Sequence, residues 1–137
     1  MSNVLSDAAR RLVDGENPAV LATVNPDGSP QTSVVWVGRD GDDLLVSSQQ
    51  GRRKVLNVLR DPRVSLSVFD QSDPLWYLEV RGKCAVVEDE GRALAVALAE
   101  KYEGTGAGEE YLELPPEIVR VQMRISPEKV FGTAAQA

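Results

Sequence analysis

Eight consecutive positions, Ser47-Ser48-Gln49-Gln50-Gly51-Arg52-Arg53-Lys54, bring two hydroxyls, a glycine and three cations together. The hydroxyls end an apolar stretch, the glycine turns the chain, and the cations fall in the first turn of a helical pattern. Cations at a helix N-terminus work against the helix dipole by roughly 0.3–1 kcal/mol each. An anion there would relieve the conflict by taking backbone N–H donors, the hydroxyls and the arginine forks together, and a phosphate suits such a cradle. A solvated basic helix face is the competing account, and both stay open on these residues alone. Other groups carry less. Gln31, Thr32 and Ser33 enter a strand whose N–H and C=O groups can meet the edge of a flat heterocycle, or are ordinary strand polar content. Trp36, Trp76 and Tyr77 are strand aromatics that serve a core, an interface or a cofactor platform. The acids at Asp40–Asp43 and Glu88–Glu90 lack calcium-loop spacing, so no metal is expected. No side chain stands out as a general acid, and the catalytic residues stay unassigned.

Composition narrows the chemistry. The 137 residues contain no histidine, which removes Ser-His-Asp and Cys-His nucleophile systems, histidine metal triads and any histidine base. The single cysteine, Cys84, forms no intramolecular disulfide and fits a reducing cytoplasm. The formal charge is −6. Arg52, Arg53, Lys54, Arg60 and Arg63 against Asp61 give Arg52–Arg63 a local +4, so the remaining residues carry −10. An acidic chain with one short basic run is not a nucleic-acid binder, which needs an extended positive surface. The first residues have no apolar h-region and no apolar run reaches 18 residues, so neither a signal peptide nor a membrane span is expected.

Elements must hold these groups in place. Val4–Asp14 carries Leu5, Ala8, Ala9 and Leu12 at helical spacing. Residues 18–24 and Gln31–Val37 form a hairpin around the Asn25-Pro26-Asp27-Gly28 turn. Arg39–Asp42 is a turn and Asp43–Ser48 a third strand. From Gly51 to Arg60 the period is helical, and Asp61-Pro62 ends it because the residue before proline leaves the α region. Val64–Phe69 and Leu75–Val87 alternate as strands. Glu88–Tyr102 is a helix and Glu103–Pro116 a flexible Gly- and Glu-rich loop whose glycines make no dinucleotide fingerprint. Ile118–Ile125 and Lys129–Gly132 close the chain as strands. Six to seven strands joined by short turns predict a mainly β, α+β chain, a single domain over 1–137. The expected form is an antiparallel, closed or split barrel with peripheral helices.

Several stretches together resemble the pyridoxamine 5′-phosphate oxidase-like split β-barrel superfamily. They are Pro18–Val24, Asp27-Gly28-Ser29-Pro30-Gln31, Leu44–Ser48, Gly51–Arg63 with its Arg-Lys, Asn57 and Arg60-Asp61-Pro62-Arg63, and Tyr77–Gly82. The closing Ile125–Gly132 fits the branch that looks like the deazaflavin (coenzyme F420)-dependent reductases. The resemblance covers roughly residues 15–133. It implies an oxidoreductase that uses reduced coenzyme F420 to pass hydride to a small organic acceptor. FMN-dependent chemistry on the same fold is the alternative, and a non-catalytic cofactor- or haem-binding module a further one. It also implies a cytoplasmic homodimer with the cofactor between subunits. Ser47, Ser48, Arg52, Arg53 and Lys54 then hold the cofactor phosphate, Gln31, Thr32, Ser33, Val34 and Val35 line the ring, and Trp76 and Tyr77 approach from the partner. The chain departs from the vitamin B6 oxidases in lacking their Trp- and Arg-bearing tail: it ends Phe131-Gly132-Thr133-Ala134-Ala135-Gln136-Ala137.

Overall fold

Alternating apolar and polar positions make seven strands in the computed structural model, which describes residues 4–135. The strands are β1 (Ala19–Val24), β2 (Pro30–Val35), β3 (Gly38–Asp40), β4 (Asp43–Gln49), β5 (Arg63–Asp70), β6 (Asp73–Glu88) and β7 (Arg120–Phe131). Four α-helices lie at the connections: α1 (Asp7–Asp14), α2 (Arg53–Arg60), α3 (Ala93–Glu103) and α4 (Glu109–Leu112). The strands form one seven-stranded sheet in the order β2-β1-β5-β6-β7-β4-β3. Every pairing in it is antiparallel. This is the mainly β, α+β split barrel that the turn spacing predicts. The reading of one domain over 1–137 includes residues 1–3 and 136–137, which lie outside the described residues.

One face of the sheet closes on the core. Leu21, Leu44, Val46, Leu66, Val68, Leu78, Val80, Met123 and Ile125 are fully buried, each at every second position of its strand. A buried side chain of this size contributes about 1.5–3 kcal/mol relative to an exposed one. α1 lays Ala9, Leu12 and Val13 against the same cluster. Ser6 caps this helix, its hydroxyl oxygen accepting from the Ala9 N–H, so the helix begins at Asp7 rather than Val4.

The structure corrects several boundaries. Residues 38–40, expected as turn, pair with β4 as a short edge strand, and the turn itself sits at Gly41 with φ 62°. Trp36 lies past the end of β2, in the connection to β3. Glu88 ends β6 instead of starting a helix. α3 begins at Ala93, its first free N–H groups taken by the buried Asp89 carboxylate. The two closing strand stretches are one strand, in which Pro127 is tolerated because the β6–β7 register shifts between Arg81 and Gly82. A side chain at Gly82 would place its Cβ 2.0 Å from the Ser126 carbonyl oxygen, so only glycine fits there. Residues 103–116 are not a free loop: they contain α4 and are tied to Arg92.

Candidate functional site

The basic run divides once folded. Arg63 pairs with Asp61 at 2.7 Å, and Arg60 donates to the Val24 carbonyl and to Asn57 Oδ1. These two cations stitch the end of α2 to neighbouring chain. Asn57, fully buried, donates from Nδ2 to Thr23 Oγ1 at 2.9 Å and Asn25 Oδ1 at 3.0 Å, and Thr23 in turn donates to Gln31 Oε1 at 2.7 Å. The network bolts α2 to the β1–β2 hairpin and so sets where the helix begins.

At that beginning, Gly51 adopts φ 91° and Arg52 occupies the N-cap without a side-chain capping bond. The first turn contains no acid. Among the described residues, Arg52, Arg53 and Lys54 make no side-chain hydrogen bond or ion pair. Lys54 is half-buried and turned into a cleft of about 210 Å³. Ser47, Lys54, Tyr111 and Arg120 supply the polar part of its lining, α3 contributes Ala95 and Leu98, the end of β2 contributes Val34 and Val35, and Trp36 follows from the connection to β3.

Arg120 is the residue that sequence reasoning missed. The β4–β7 register sets Gln49 opposite Arg120, and the guanidinium donates through Nη2 to Ser47 Oγ at 2.8 Å. It also lies under the Tyr111 ring, 5.0 Å from the centroid. Its buried Nε–H has no acceptor. Burial pushes the guanidinium below its ordinary value, with Tyr111 and Asp89 pulling the other way. Burial likewise lowers the Lys54 ammonium, and the neighbouring Arg52 and Arg120 lower it further. No carboxylate lines this cleft, so it is a desolvated positive cavity with hydrogen-bond donors to spare, a site for an anion.

The other predicted positions are distributed as follows. Arg52 is exposed but near enough to bear on Lys54, whereas Arg53 is exposed on the helix surface. Ser48 is buried on the opposite face of β4 from Ser47, because successive residues of a strand alternate, so only one of the two hydroxyls reaches the cleft. On β2, Gln31 is engaged by Thr23, Thr32 is exposed, and Ser33 Oγ is buried without a partner. Val34 is exposed and Val35 buried. Trp76 packs half-buried against the core and Tyr77 is largely exposed, and neither lines the cleft within one chain. Trp36 stacks on Tyr102 with centroids 5.5 Å apart and planes 12° from parallel. Together with Val34 and Val35 this pair also walls a second cavity of about 320 Å³. Among the described residues there is no cluster of three or more His, Cys, Asp or Glu side chains fit to hold a metal ion, and no helix long and apolar enough to cross a membrane.

Comparison with known proteins bears on the same segments. The family model described as pyridoxamine 5′-phosphate oxidase matches residues 5–134. A solved F420 reductase is 33% identical, with a TM-score of 0.76 over 89% of this chain and 94% of its own. A conserved hypothetical protein, Rv2991 from Mycobacterium tuberculosis, is 24% identical with a TM-score of 0.72 over 94% of this chain and 84% of its own. The haem storage protein HutZ from Vibrio cholerae is 18% identical with a TM-score of 0.65, covering 94% of each chain. The last two likenesses are of fold alone.

Proposed function

The chain belongs to the pyridoxamine 5′-phosphate oxidase family, and from that premise we propose that it is an oxidoreductase holding reduced coenzyme F420 by its phosphate in the positive cleft, for hydride transfer to a small organic acceptor. The observation that carries this reading is the pair Lys54 and Arg120: two desolvated cations beside Ser47, with no carboxylate and an unclaimed Nε–H. A phosphate fits this donor set. Each charge-assisted hydrogen bond to it contributes about 1.5–3 kcal/mol, offsetting the cost of burying the cations. When bound, the reduced deazaflavin supplies the hydride.

The chain's own part is to bind and to orient. Ser47, Lys54 and Arg120 fix the phosphate, and exposed Arg52 adds long-range attraction at the mouth. The backbone of β2 at Val34–Val35 lies along the ring, while Ala95 and Leu98 keep water from that wall. Val34 and Leu75, 78% and 80% exposed, are apolar positions that a second copy covers in a homodimer, which also carries Trp76 and Tyr77 toward the partner's cleft. The setting is the cytoplasm, with residues 1–137 as one cofactor-binding unit. The likeness to an F420 reductase at 33% identity supports the deazaflavin.

The second reading is FMN on the same site, favoured by the fact that the cleft reads only the phosphate and ribityl end that both cofactors share. Two common ligands of haem iron, histidine and thiolate, give a haem carrier no support here. The chain has no histidine, and its one thiol, Cys84, is buried with its pKa pushed up to about 12 by desolvation.

The test is titration of the purified protein into coenzyme F420 and into FMN, followed by fluorescence polarisation. The expected result is tight binding of F420. Binding of FMN alone moves the assignment to the second reading, and binding of neither at micromolar protein overturns both.

A further inference from the structure

We propose that Arg92 is a positioning residue for the anion cleft: it latches residues 104–118 so that the Tyr111 ring stays on the Arg120 guanidinium and closes one wall around the ligand. The proposal rests on the phosphate-binding reading above.

Arg92 stands out by its backbone. It is the one non-glycine residue with positive φ among the described residues, at 58°, directly after Gly91 at 65°. An arginine held in that conformation is strained, and surrounding bonds must hold it there. Its N–H donates to the Asp89 carbonyl at 2.9 Å, and the Asp89 carboxylate takes the Leu94 and Ala95 N–H groups at 2.9 and 3.0 Å, anchoring the turn to α3. The guanidinium forms no ion pair and spends its donors on carbonyls. Nη1 donates to the carbonyls of Tyr111 and Leu114 at 2.9 and 2.7 Å, and Nη2 to those of Pro115 and Ile118 at 2.7 and 2.9 Å. One planar fork therefore gathers four backbone acceptors spread over eight residues of the connector, a task a lysine ammonium cannot copy.

One of the four acceptors is the carbonyl of Tyr111 itself, the residue whose ring covers Arg120. Arg92 does not line the cleft: it acts through the main chain of Tyr111, and its charge, which Arg92→Lys keeps, also bears on Arg120. Opening the latch frees that ring, exposes Arg120 to water and lets a bound anion leave.

The test uses Arg92→Lys, Tyr111→Ala, Tyr111→Phe and the double variant Arg92→Lys/Tyr111→Ala. Dissociation of coenzyme F420 and of FMN is followed by fluorescence polarisation, and cleavage between residues 104 and 118 by limited proteolysis without ligand. Arg92→Lys and Tyr111→Ala each speed dissociation about tenfold, as loss of a partly desolvated cation–ring contact predicts. Tyr111→Phe keeps the wild-type rate. The double variant leaves no faster than Tyr111→Ala, because both changes remove the same contact. Without ligand, Arg92→Lys is cleaved faster than wild type. Wild-type rates and cleavage in Arg92→Lys overturn the proposal, as do multiplying effects in the double variant. Should Arg92→Lys fail to fold, equal dissociation from Tyr111→Ala and Tyr111→Phe overturns it. A wild-type protein that binds neither cofactor overturns the phosphate reading instead, and the proteolysis still decides the latch.

Discussion

Two sets of cations in this molecule are treated in opposite ways. Away from the cleft, arginines are matched to acids: Arg10 to Asp7 and Asp42, Arg39 to Asp14, Arg81 to Glu79, and Arg124 to Asp40 and Asp43. Inside it, Lys54 and Arg120 are drawn half out of water with no ion pair and no carboxylate in the lining, in a chain whose net charge of −6 leaves acids to spare. The exposed pairs hold the sheet and helix ends in register at low cost, since solvent screens them. The unmatched pair is a liability to folding that only a ligand relieves. Lack of an acidic partner, more than the presence of charge, is what singles out the proposed site.

The sharpest way to break that contrast is to remove one arginine from each set. Arg120→Leu is expected to weaken binding of F420 or FMN by about 100-fold or more, the scale of lost charge-assisted hydrogen bonds, while leaving the urea midpoint unchanged or raised because a half-buried cation without an ion pair is gone. Arg124→Leu is expected to do the reverse: binding stays, and stability falls by about 1 kcal/mol because the lost pairs are partly open to solvent. Equal effects of the two variants on binding would erase the distinction.

A pH titration sharpens it further. Burial and the neighbouring Arg52 and Arg120 lower the Lys54 pKa from 10.5. Between the folded value and 10.5 the unfolded chain keeps a proton the folded one has released, so stability without ligand rises with pH through that window. Ligand affinity runs the other way, full while Lys54 is protonated and falling as pH climbs through the folded value. Isothermal titration across the alkaline range should show this fall in wild type and a flat profile in Lys54→Arg.

Salt gives a smaller effect. On the proposed deazaflavin reading, the oligoglutamate tail of the cofactor approaches a chain that is net acidic outside Arg52–Arg63. Raising ionic strength to about 1 M shortens screening to about 3 Å, so affinity should weaken several-fold through loss of attraction by Arg52 and Arg53, whereas the buried bonds persist. Indifference to salt would mean that these exposed cations play no part.

The smallest effect belongs to the matched set. The Arg63 guanidinium and the Arg63 N–H hold Asp61 at a pKa of about 2, down from 3.8. A depressed carboxylate adds stability that is present above its unfolded value and is lost as pH falls through the folded one, here between about 4 and about 2. Thermal unfolding in acid should show this limb in wild type and a shallower one in Arg63→Ala, with cofactor binding at neutral pH the same in both.

The paired strands were legible because β5 and β6 alternate so regularly, and Asp61-Pro62 marks the end of α2 by a local steric rule. Ser47 and Lys54 were singled out by short-range spacing, Val34 and Val35 by the resemblance, and the fold brings the four to one cleft. Arg120 was not. Its role depends on the β4–β7 register, and 73 positions separate it from Ser47. Asp89 looked like one more member of an acidic turn, since nothing local tells a solvated carboxylate from one that turns inward to cap a helix. Arg92 was silent for the same reason: its four acceptors are carbonyls, which carry no residue identity. The short β3 was hidden because three residues are too few to show alternation.

The β4–β7 pairing also sets a schedule. Ser47 and Arg120 meet only when the final strand has docked between β4 and β6, closing a loop far longer than any hairpin in the chain. Contacts of such separation form late, because the chain loses much freedom before they reward it. The hairpin, the start of α2 and even Lys54 can be in place while the cleft still lacks its strongest donor. On the proposed reading, affinity for the anion is a property the chain acquires at the end of folding, and retention of that ligand would report that the last strand has been added.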